Sequence, residues 1–100
     1  MTVSASFDND AQRLTICIDG RFDFSAHKEF RESYEGTDKG SSFSIDMSSA
    51  NYIDSSALGM LLLLRDHAGG DHADVEIVNC NSDVKKILTI SNFDQLFVIH

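Results

Sequence analysis

The chain has 100 residues, 42% of them hydrophobic, with sixteen acidic side chains against eight basic ones and a formal net charge of −8. That length makes a single domain, expected to span residues 1–100, able to bury a core without disulfides or a structural metal. The charge argues against nucleic acid, whose binding needs Lys and Arg to neutralise phosphates, and against an anionic membrane surface; it leaves a protein as the expected partner.

Met1-Thr2-Val3-Ser4-Ala5-Ser6 has neither a basic region nor an apolar core, so no secretory signal is expected. Val3, Ala5 and Phe7 alternate with Ser4, Ser6 and Asp8, the pattern of a half-buried strand. Asp8-Asn9-Asp10-Ala11-Gln12 is turn chemistry, and Leu14, Ile16 and Ile18 then alternate with Thr15, Cys17 and Asp19, completing a predicted hairpin. Gly20 is expected to break that second strand, with Arg21-Phe22-Asp23-Phe24-Ser25 following as a loop.

Ser25 can cap a helix over residues 26–35, in which Ala26, Phe30 and Tyr34 share a face. Gly36 ends it, and residues 37–42 form a polar connection. A strand over 43–47 precedes a polar turn over 48–52. Asp54 then opens a very apolar helix as its N-cap, and Gly69-Gly70 closes it. A strand over 74–80, a helix capped by Asn81 or Ser82 with Val84, Ile87 and Leu88 on one face, and a short last strand over 96–99 complete the chain. The order is β-β-α-β-α-β-α-β. Strands alternating with helices imply crossovers and parallel pairing, hence an α/β fold with a small mixed sheet and helices packed on it.

Counting 100° per residue along the helix after Asp54 puts Ala57, Met60, Leu61, Leu64 and Ala68 on the core face. Ser55, Gly59, Leu62 and Asp66 fall on the opposite side, flanked by Ser56 and Leu63. Two readings are open for Leu62 and Leu63: they pack beneath a neighbouring element, as in helices apolar all round, or they form an exposed patch where a partner docks. Gly59 costs roughly 1 kcal/mol of helix stability against alanine, which a close approach by another backbone or a partner side chain would explain. A hydroxyl in the first turn lies at the positive end of the helix dipole, where a phosphate is best tolerated. Ser55, away from the core, is the expected acceptor, and Ser56, with a helix-start hydrogen bond as its ordinary role, is the rival.

No metal, cofactor or catalytic activity is expected. Cys17 and Cys80 lie in apolar runs without zinc spacing and read as buried reduced thiols, which suits a cytoplasmic protein. His67, His72, Asp71 and Asp74 around Gly69-Gly70 match no familiar ligand spacing and read as a polar turn. A Ser55–His67 pair for hydrolysis would be separated by roughly 18 Å at 1.5 Å per residue, and there is no Gly-x-Ser-x-Gly elbow. The apolar run over 57–64 is too short to span a bilayer.

Ile53-Asp54-Ser55-Ser56-Ala57-Leu58-Gly59, after a strand ending in Asp46, resembles the phosphorylation segment of STAS domains of the anti-sigma factor antagonist type. Gly20-Arg21-Phe22-Asp23-Phe24-Ser25-Ala26 is similar to that family's segment ahead of its first helix. The resemblance implies a sheet of four to five strands and a bait protein in a partner switch. A GHKL-type serine kinase, often itself an anti-sigma factor, would phosphorylate Ser55, and a metal-dependent PPM-type phosphatase would reverse this. The unphosphorylated form would bind its partner and the phosphorylated form let go, and Asp23 matches a family acid near the phosphorylated serine and the partner surface. Together with the exposed side of the helix and the loop before the first helix, this makes Asp23, Phe24, Asp54, Ser56, Gly59, Leu62, Leu63 and Asp66 the expected partner contacts, and the free protein is expected to be a monomer. The alternative is a STAS-type scaffold or ligand-binding module that works without phosphate in a larger complex. The chain departs from the family pattern at Ala57, where a glycine is common, and at Phe22 and Phe24, where acidic and polar residues are common.

Overall fold

Residues 13–18 alternate in burial as they do in polarity: Leu14, Ile16 and Ile18 are buried while Arg13, Thr15 and Cys17 are half-exposed. The structure, a computed structural model, describes residues 2–38 and 40–100. Met1 and Lys39, the latter inside the polar connection expected over 37–42, lie outside the described residues. The elements are β1 (Val3–Asp8), β2 (Arg13–Phe22), α1 (His27–Glu35), β3 (Ser42–Ile53), α2 (Ser55–His67), β4 (Val75–Val78), α3 (Ser82–Ile90) and β5 (Val98–Ile99), with a 3-10 turn at Phe24–Ala26.

The five strands form one sheet in the order β1-β2-β3-β4-β5. β1 pairs antiparallel with β2, and the remaining pairs are parallel. This is the mixed sheet with helices packed on it that the pattern predicts. Successive crossovers between neighbouring parallel strands share one hand, so all three helices fall on one face of the sheet. That face holds the core: Ile16, Ile18, Phe22, Phe43, Ile45, Met47 and Ile77 from the strands meet Phe30, Leu61, Leu64, Val84 and Leu88 from the helices, each nearly inaccessible to solvent. Phe22 and Phe30 rings lie 5.1 Å apart and tilted, a favourable aromatic geometry. On the opposite face Arg13 reaches across β3 to pair with Glu76 of β4, which His100 also approaches at 3.3 Å.

Some sequence expectations change. Gly20 does not end β2. Its φ of +79° lets the strand bend, and the register against β3 shifts on either side of it, so Arg21 and Phe22 remain in the sheet. Phe22 is core, not loop. The polar run over 48–52 is strand, not turn: β3 continues to Ile53, paired with β2 through Ser49, Ala50, Tyr52 and Ile53. Val3 is buried, but Ala5 and Phe7 are exposed, so β1 is covered at its start only. Cys17 and Cys80 are free thiols, half-buried instead of buried.

Candidate functional site

Because β2, β3 and β4 run parallel, the segments that leave their C-terminal ends gather at one end of the molecule. Each segment carries a side chain that caps the turn or helix next in the chain. Asp23 Oδ1 accepts from the Ser25 N–H at 3.0 Å and the Ser25 hydroxyl at 2.5 Å. Asp54 Oδ1 accepts from the Ala57 N–H at 3.1 Å and from the Ser56 hydroxyl at 2.6 Å. Asn81 Oδ1 accepts from the Val84 N–H at 2.8 Å while its Nδ2 donates to the Ala50 carbonyl at 3.2 Å, tying the start of α3 to β3. Asp23 therefore caps the 3-10 turn ahead of α1, with Ser25 donating to it, while α1 itself begins after Ala26 with no side-chain cap, so Ser25 is not the helix cap that the sequence suggests.

These bonds separate the two serines. The Ser56 hydroxyl is half-buried and committed to Asp54. The Ser55 hydroxyl is exposed and has no hydrogen-bond partner among the described residues. Ser55 also occupies the first position of α2, beside N–H groups that the helix leaves free. The Ser56 hydroxyl and then the Ala57 N–H hold the Asp54 carboxyl below its ordinary value, while the nearby Asp23 charge pushes the other way. Asp23 is lowered in turn, first by the Ser25 hydroxyl and then by its N–H. The two carboxylates are thus close enough to feel each other, and both are ionised at neutral pH.

The remaining predicted residues divide. Phe24 is 69% exposed and stacks on the His27 ring at 5.2 Å. Leu62 and Leu63 are 39% and 51% exposed, so they do not pack beneath a neighbouring element. Ala57, Met60, Leu61, Leu64 and Ala68 are all buried, as the face counting predicts. Gly59 is exposed, and a Cβ there would meet nothing within 4 Å, so no approach within the chain explains it. Asp66 shares the solvent side of α2 but stands roughly 16 Å along the helix from Ser55 at 1.5 Å per residue.

Sequence reasoning missed Arg21. Its guanidinium lies 4.1 Å from the Tyr52 ring centre, and its Nε stands 3.4 Å from Asp23. The Arg21–Tyr52 pairing in the β2–β3 register places it, and no local motif announces that register. His67 sits at the other end of α2, its Nε2 2.8 Å from the Thr37 carbonyl and its ring packed near Tyr34 and Phe43. Among the described residues no three His, Cys, Asp or Glu side chains converge as a metal site requires, and no helix is long and apolar enough to cross a membrane.

The family model described as "Mlab, STAS domain" matches residues 5–99. A STAS-domain containing protein of Pseudomonas aeruginosa (strain UCBPP-PA14) is 54% identical over 100 residues, a match covering 99% of each chain. Among solved structures, an anti-sigma factor antagonist from Mycobacterium paratuberculosis superimposes with a TM-score of 0.79 at 13% identity, covering 98% of this chain and 85% of that one. The Bacillus cell fate determinant SpoIIAA in its phosphorylated form gives a TM-score of 0.71 at 14% identity, over 98% of this chain and 90% of that one. At such identities these two structures speak for the fold.

Proposed function

The chain belongs to the STAS domain family, and from that premise we propose that it is an anti-sigma factor antagonist of a partner-switching pathway in the cytoplasm. It binds an anti-sigma factor or comparable regulator when Ser55 is unmodified and releases it when Ser55 is phosphorylated. It carries no catalysis of its own: a GHKL-type serine kinase adds the phosphate and a PPM-type phosphatase removes it. The observation that carries this reading is the contrast between the free, exposed Ser55 hydroxyl at the start of α2 and the adjacent Ser56 hydroxyl bound to Asp54.

The physical basis of release is charge. Phosphorylation adds about −1.5 to −2 charges at neutral pH. The free N–H groups of α2 favour that charge, so the folded domain tolerates it. The carboxylates of Asp54 and Asp23 oppose it, and any partner surface seated on Phe24, Leu62 and Leu63 meets a hydrated dianion where it met a hydroxyl. Release therefore occurs without refolding. Affinity capture with Ser55→Ala and Ser55→Asp baits tests this: the alanine protein retains the partner, the aspartate protein loses it, and equal retention by both contradicts the switch.

A second reading, a STAS-type scaffold that holds a larger complex without phosphate, draws on the exposed Leu62–Leu63 pair, since an apolar patch binds irrespective of modification. It is favoured if Ser55 accepts no phosphate from any GHKL-type kinase of the same cells.

A further inference from the structure

The outer edge of the sheet at β1 is open, and its geometry differs from that of a protected edge. Asp19 donates its N–H to the Thr2 carbonyl at 2.8 Å, which fixes the phase of the β1–β2 ladder. Residues at even positions of β1 exchange hydrogen bonds with β2, so the N–H and C=O groups of Val3, Ala5 and Phe7 point away from it. The Val3 N–H is met by Glu29 Oε2 of α1 at 3.4 Å. Ala5 and Phe7 present their backbone donors and acceptors beyond that contact, and their side chains, turned to the helix side of the sheet, stay exposed.

Two hollows lie along this edge. One of about 430 Å³ is lined by Val3, Ser4, Ala5, Glu29, Glu32 and Ser33. The other, of about 210 Å³, includes Phe7, Gln12, Thr37, Asp38 and Ser41. Ala5 and Phe7 are two residues apart along the strand, roughly 7 Å at 3.4 Å per residue, the repeat of same-side side chains in an extended peptide. Among the described residues, the charged side chains that line the two hollows are Glu29, Glu32 and Asp38.

From the edge backbone groups of Ala5 and Phe7, the paired hollows and the carboxylates of Glu29 and Glu32 beside them, the geometry points to β1 as the docking site of an extended, basic segment of another protein. That segment adds to β1 as a sixth strand. Its backbone pairs with Ala5 and Phe7, alternate side chains enter the two hollows, and Lys or Arg side chains meet Glu29 and Glu32. Main-chain pairing supplies the affinity and the hollows the selectivity. A second copy of this chain is disfavoured as the occupant, because edge-to-edge pairing would bring two chains of net charge −8 and their Glu29 and Glu32 side chains together. The site is separate from the Ser55 end of α2 and stands or falls independently of the partner switch.

The probe is an acetylated, amidated peptide of sequence Lys-Val-Arg-Val-Lys-Val, titrated into the isotopically labelled protein at about 50 mM salt and followed by amide NMR. The expected result is saturable movement of the Ala5, Phe7, Glu32 and Ser33 signals with Ser55 to Gly59 unmoved. Binding should weaken at least tenfold in Glu29→Lys/Glu32→Lys protein and vanish for the same peptide with Glu in place of Lys and Arg. Ala5→Pro removes an outward N–H without touching the β1–β2 ladder and should also weaken binding, its fold checked by the unmoved core signals. Absence of movement at millimolar peptide, equal response to the acidic peptide, movement centred on Ser55, or concentration-dependent movement of the β1 signals without peptide each overturns the proposal.

Discussion

The Ser56 hydroxyl donates to Asp54 Oδ1 at 2.6 Å, in the same cap that receives the Ala57 N–H. One carboxylate oxygen thereby closes the first turn of α2 and engages the half-buried Ser56 hydroxyl, while the exposed Ser55 hydroxyl has no hydrogen-bond partner among the described residues. Asp54→Ala should lower the urea midpoint of unfolding and release Ser56 together, and Asp54→Asn should retain the cap more fully.

The acid limb of the stability curve rests on the same contacts. Asp54, Asp23 and Asp46 are all held below the ordinary carboxylate value, by the Ser56 hydroxyl, the Ser25 hydroxyl and the Ser48 N–H respectively. Carboxylates lowered by folding contribute stability that is complete above the unfolded value of about 3.9 and is lost as pH falls through the folded values. Urea midpoints should therefore be insensitive to these groups between about pH 5 and 8 and fall below about pH 4. Asp54→Asn protein should show a shallower decline there.

Gly59 lies on the exposed side of α2 with open space where a Cβ would stand. Gly59→Ala should therefore raise stability by up to about 1 kcal/mol, read by urea denaturation. A loss of partner binding alongside that gain would assign the glycine to the partner's close approach.

Leu61 and Leu63 are two residues apart on one helix and differ completely in environment, 0% against 51% exposed. Leu61→Ala should cost about 2–5 kcal/mol through the cavity it leaves. Leu63→Ser should change stability by no more than about 0.5 kcal/mol. Under the proposed function it should still weaken partner capture, which the same denaturation and capture assays separate.

The sequence carries the α2 faces because an isolated helix keeps its period: every residue assigned to the core by counting, from Ala57 to Ala68, is buried. It does not carry the continuation of β3. Met47, Ala50 and Ile53 are buried at intervals of three, since the register against β2 shifts between Cys17 and Asp19 and again between Gly20 and Arg21. A bulged strand loses its period of two, so a polar run there reads as a turn. Phe22 was hidden by the same irregularity, because Gly20 bends the strand where glycine ordinarily ends one. Arg21 became visible only through its cross-strand neighbour Tyr52. The exposure of Ala5 depends on how far α1 extends over β1, which tertiary packing alone decides.

The proposed switch turns on one hydroxyl. Trypsin releases residues 40–65 by cutting after Lys39 and Arg65, a fragment that contains both Ser55 and Ser56. Tandem mass spectrometry of that fragment, after incubation of the protein with ATP and the GHKL-type serine kinase from the same cells, should place a single phosphate on Ser55 and none on the Ser55→Ala protein. Phosphate on Ser56, or a fragment left unmodified, would contradict the account.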